Sequence, residues 1–128
     1  MPKSSKVNEC LDFEITFYER LLQEHPHFTD ALIAVGEAYT RRGWYDKGLA
    51  VDLRLTQLKR EDALAWYNLA CSYSLLKRAG EALEALRLAI KFGYDDFAHL
   101  SQDPDLATLR RSPEFHHFLT GLTPHKSA

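Results

Sequence analysis

Residues 63–94 read ALAWYNLACSYSLLKRAGEALEALRLAIKFGY, and the spacing of large and small side chains within them decides the fold. Trp66, Leu69 and Tyr73 follow one another at steps of three and four, with Ala70 beside Leu69, so they share one face of a helix. Ala82, Leu86 and Ala89 repeat that spacing on a second helix. Between them lies Lys77-Arg78-Ala79-Gly80, short and polar enough to fold the two helices into an αα-hairpin.

The same order recurs upstream. A shift of 34 residues carries Leu32 onto Trp66, Val35 onto Leu69, Gly36 onto Ala70, Tyr39 onto Tyr73, Gly48 onto Ala82 and Leu49 onto Leu83. Small residues at Gly36, Ala70, Ala82 and Ala89 let helices cross closely, and the large ones fill the space around them. This order and period resemble the tetratricopeptide repeat, whose pattern begins W-x2-L-G-x2-Y. The resemblance covers about residues 9–121 and implies an all-α solenoid of αα-hairpins wound as a right-handed superhelix.

Taken in order, residues 1–7 are expected to be disordered and residues 8–122 to form a single domain. Leu11, Ile15, Tyr18 and Leu22 mark an amphipathic helix over 8–26, with Asn8 as its cap, resembling the second helix of a hairpin whose first is absent. The first repeat covers 29–60, with Thr29 as N-cap and Gly43 ending its first helix. Within it Leu49, Val51, Leu53 and Leu55 alternate with other residues as a half-buried strand would, but the repeat register predicts a helix. Asp52 stands where the family usually has a large apolar side chain, which leaves the local packing open. The second repeat covers 63–94, with Glu61 and Asp62 at its N-terminus and Gly93 at its end. Over 95–122, Asp103-Pro104 and Ser112-Pro113 each read as a cap followed by proline at the first helical position, starting two short closing helices. Residues 123–128 read as a disordered tail.

Composition narrows the function. A net charge of −2 carries no nucleic-acid or anionic-membrane signature. No apolar run approaches the roughly 20 residues of a membrane span, and the polar start MPKSSKVNEC lacks a secretory apolar core, so the cytoplasm is expected. Cys10 and Cys71 read as reduced thiols. His25 and His27 flank a proline and His116 and His117 are adjacent; neither pair has the i, i+4 spacing of a metal site, so no metal and no cofactor is expected. No nucleophile elbow, P-loop or dinucleotide fingerprint occurs, and the expectation is a protein that is not an enzyme.

What remains is a surface. The family resemblance implies that the first helix of each hairpin lines a concave groove for a protein or peptide. By register that lining is Asp30, Ile33, Glu37, Thr40 and Arg41, then Leu64, Tyr67, Asn68, Cys71, Ser74 and Leu75. Asn68 stands where related proteins hydrogen-bond an extended ligand's backbone; the alternative is an asparagine that simply faces solvent. Ile33 and Glu37 occupy positions where a chaperone-tail carboxylate clamp needs a basic residue and an asparagine, so that ligand is excluded and a partly apolar peptide favoured. The rival expectation is a homo-oligomer joined through the groove or an end face.

Overall fold

The computed structural model describes residues 2–122, and the described residues are helical with no strand. The order is α1 (Pro2–Glu24), α2 (Thr29–Arg42), α3 (Tyr45–Leu58), α4 (Ala63–Leu75), α5 (Ala79–Lys91), α6 (Phe97–Leu100), a 3-10 turn (Pro104–Leu106), α7 (Ala107–Arg110) and α8 (Pro113–Leu122). The five longer N-terminal helices pack in succession, α1 on α2, α2 on α3, α3 on α4 and α4 on α5, and the C-terminal ones close over α4 and α5.

The N-terminal helix is longer than expected. It begins at Pro2, so Pro2–Val7 are helical rather than disordered and Asn8 lies inside the helix instead of capping it. Proline suits a first helical turn, and no breaker follows until His25-Pro26. Leu11 and Ile15 are buried against Val35, Ala38 and Tyr39 of α2, with Tyr18 and Leu22 packed beside them. Polar bonds fix the same pair: Arg42 Nε meets Asp12 at 2.9 Å and the Tyr39 hydroxyl donates to Glu19 at 2.5 Å. Met1 and the expected disordered tail at 123–128 lie outside the described residues.

Thr29 is the first helical residue of α2, not its cap. The Phe28 carbonyl already accepts from the Leu32 N–H at 3.1 Å, which moves the boundary one residue upstream. Gly43 takes φ 87° and stops the helix, donating to the Thr40 carbonyl at 3.0 Å. In α3 the apparent alternation dissolves: Gly48, Leu49, Asp52, Leu55 and Thr56 are buried, a helical stripe, while Leu53 faces outward. The α2–α3 hairpin is tight. A Cβ on Gly36 would sit 3.3 Å from Val51 Cγ1, and one on Gly48 3.1 Å from Thr40 Oγ1.

Asp62 caps α4, accepting from the Leu64 and Ala65 N–H groups at 2.9 and 3.2 Å. Seven of its residues, Ala65, Tyr67, Leu69, Ala70, Cys71, Ser72 and Ser74, are buried, so this helix is covered on most sides. The α5 face of Ala82, Leu83, Ala85, Leu86 and Ala89 packs on it, and Gly93 at φ 114° ends the hairpin. Asp103 and Ser112 cap as expected, accepting from the Asp105 and Phe115 N–H groups at 3.0 and 3.2 Å, but α6 is an additional helical turn. Leu100, Leu106, Leu109 and Phe115, each at most 2% exposed, complete the core against α4 and α5. Leu119 of α8 is 37% exposed.

Ala70 and Ala82 are both 0% exposed within this core. Replacing Ala82 with leucine should cost about 1–3 kcal/mol by overpacking. Urea unfolding of the two proteins measures it; an unshifted midpoint would show that α5 does not cross α4 closely at this point.

Candidate functional site

A cavity of about 670 Å³ runs between α2 and α4. Nine of the eleven residues that register assigns to the groove line this cavity: Ile33, Glu37, Thr40 and Arg41 from α2, and Leu64, Tyr67, Asn68, Cys71 and Leu75 from α4. The other two do not. Ser74 is 0% exposed and its Oγ accepts the Leu109 N–H at 3.2 Å, because the closing segment occupies that side of α4. Asp30, at the first turn of α2, is exposed and also lies outside the cavity.

The floor and far wall come from residues that repeat register alone does not reach. Gly36, Asp52 and Ser72 form the floor, and Tyr94, Asp96, His99, Asp103 and Asp105 the wall. The only advance signal for the wall is the Asp103-Pro104 cap, which marks a turn but not where the turn docks. Asp103 is its anchor. Buried at 7% exposure, it accepts the Tyr67 hydroxyl at 2.6 Å and lies 3.2 Å from His99 Nε2. Arg110 Nη1 donates to the Asp103 and Leu100 carbonyls at 2.6 and 3.0 Å, holding the loop shut.

Tyr67 therefore has a different role from the one its register implies. It is 4% exposed, bonded to Asp103, and stacked on Tyr94 with centroids 4.3 Å apart. It offers the cavity an edge while fastening the C-terminal wall to α4. Burial and then the Asp103 hydrogen bond push its phenol pKa up, so it stays protonated. Burial, then Asp103 and Asp105, likewise push the Cys71 thiol well up; its Sγ is 3.8 Å from Asp103 and remains a thiol rather than a nucleophilic thiolate.

Asp52, where a large apolar side chain was expected, is the buried polar group of the floor. The Ser72 hydroxyl donates to it at 2.5 Å across the α3–α4 interface. Burial raises its pKa to about 6; the Ser72 bond opposes the rise and Glu37 adds to it. Asp105 is also raised, by burial first and then by Asp103, with His99 opposing. Asn68 is half-buried, and its amide makes no hydrogen bond to the described residues, which leaves donor and acceptor facing the cavity. Among the described residues no group of three or more His, Cys, Asp or Glu could hold a metal ion, and no helix is long and apolar enough to cross a membrane.

No family model matches the chain. It is similar to a chloroplastic protein of Arabidopsis thaliana, being 39% identical over 83 residues, which is 62% of this chain and 25% of that protein. The chain thus spans about a quarter of the length of this relative.

The Asp52 carboxyl makes stability depend on pH with a definite sign. Its pKa is about 6 in the folded state against an ordinary value of 3.8, so from about pH 4 to 6 the folded state holds a proton that the unfolded chain has lost. Stability from this group falls as pH rises through that window, by on the order of 2–3 kcal/mol, and is level above it. Asp52→Asn keeps an acceptor for Ser72 without the charge. Chemical denaturation at pH 4.5 and 7.5 should find the variant more stable than wild type at the higher pH, with a smaller pH difference; equal slopes would remove Asp52 as the source.

Proposed function

We propose that this chain is a short tetratricopeptide-type solenoid, a right-handed superhelix of two repeats between closing helices, that works as a non-enzymatic adaptor. It takes a protein or peptide partner in the groove between α2 and α4. One observation carries the reading: nine residues chosen by repeat register, from two helices separated in sequence, line a single cavity. The period supports it as well, since Val35 and Leu69, Gly36 and Ala70, and Leu49 and Leu83 are pairs related by the repeat and are all buried. The groove offers Ile33, Leu64 and Leu75 as apolar contacts and the Asn68 amide for an extended backbone. The cytoplasm is an expectation of composition alone; the relative is, by its name, chloroplastic.

Self-assembly is the second reading, and a specific surface favours it. Phe13 and Phe17 of α1 are 76% and 54% exposed and lie one turn apart on the same outer side. Such a pair on a helix facing away from the core is a ready self-contact.

Two measurements separate the readings. Amide shift mapping with a bound peptide should concentrate its perturbations at residues 33–41 and 64–75, and Asn68→Ala should weaken binding roughly tenfold with melting unchanged. Perturbations confined to α1 would reject the groove. Light scattering over a wide concentration range tests the second reading: if α1 drives association, Phe13→Glu with Phe17→Glu returns the mass to that of one chain, whereas a wild-type monomer at all concentrations rejects it.

A further inference from the structure

The charge around the groove is one-sided. Five carboxylates line it, Glu37 from α2, Asp52 from α3, and Asp96, Asp103 and Asp105 from the closing segment. The basic residues lining it are Arg41 and His99. Arg41 is drawn to Glu14 of α1 at 3.4 Å, and His99 is 3.2 Å from Asp103. Among the described residues, Glu37, Asp52, Asp96 and Asp105 have no ion-pair partner.

We propose that the groove receives an extended peptide segment carrying a lysine or arginine, whose cation is held among carboxylates contributed by α2, α3 and the closing segment. This rests on the groove being the binding surface and goes beyond it by fixing the chemistry of the partner. The carboxylates converge from three separate elements on one concave space, so their fields add where a side chain would enter rather than spreading over a convex face. An acidic segment meets repulsion there, and a neutral one leaves the charges unpaired. Ile33, Leu64 and Leu75 take the apolar side chains of the same segment, and Asn68 its backbone. The raised carboxyls agree. Burial is the larger cause at Asp52 and Asp105, and Glu37 and Asp103 respectively add to it, a repulsion that a cation between them relieves.

The test is selection of a random peptide library, displayed on phage, against the full chain, followed by affinity measurements on the enriched peptides. The result expected is enrichment of lysine and arginine among apolar residues. Binding of those peptides should weaken about tenfold in the Glu37→Gln, Asp105→Asn double variant, which preserves side-chain shape and is checked for unchanged melting. Enriched peptides that lack basic residues but lose binding in Asn68→Ala would overturn the charge assignment and leave the groove standing. Basic peptides indifferent to the double variant would also overturn it. No enrichment, or enriched peptides indifferent to both Asn68→Ala and the double variant, would reject the groove itself and the proposal with it.

Discussion

A helix covered on most of its sides must find an internal partner for every polar atom it buries, and α4 is such a helix. Three of its side chains answer that demand in three directions. Ser72 donates to Asp52 of α3, Ser74 accepts from the Leu109 N–H of α7, and Tyr67 donates to Asp103 ahead of the 3-10 turn. Each bond fixes the position of a neighbour that apolar packing alone would allow to slide. Leaving one such buried group unpaired costs about 1–3 kcal/mol, a large share of the stability of a small domain. The preceding hairpin and the closing segment are therefore referenced to the same helix.

The groove inherits its shape from those bonds. Its near edge is set by the close α2–α3 crossing at Gly36 and Gly48, and its floor by the Asp52–Ser72 bond. Its far wall is the loop that Asp103 and Arg110 hold against α4. Buried carboxylates are costly, and here they are kept at the lining of a cavity that solvent and a partner can enter. That placement gives the concave side its chemical character, while the Cys71 thiol beside it is kept inert by burial and the same negative surroundings.

Much of this is legible before any coordinates. The all-helical fold and the Gly43 and Gly93 stops follow from a pattern of local steps and one long period, both of which are properties of neighbours along a chain, while the nine lining residues follow only from what the tetratricopeptide resemblance implies for that register. The misses have a common cause in distance or in a lack of local contrast. Ser74 and Tyr67 turn toward the closing segment only once residues 95–122 fold back, a docking that no local pattern encodes. Asp52 reads as a defect in the repeat until Ser72 is seen opposite it, 20 positions away in sequence. Asn8 and Thr29 are good caps passed over because helical turns form just ahead of them, and a residue's capping preference is a weak force against an added backbone bond.

The anchoring of the closing segment has a consequence for how such a domain can change over evolutionary time. In an array of repeats, units are often exchanged or duplicated with little disturbance to their neighbours, because each contacts only the next. Here the segment that seals the core also supplies Asp96, His99, Asp103 and Asp105 to the groove. Stability and recognition are written in the same stretch of chain. Recombining that stretch with another sequence would alter both at once, so the closing helices and the α4–α5 hairpin are bound to diverge as one unit.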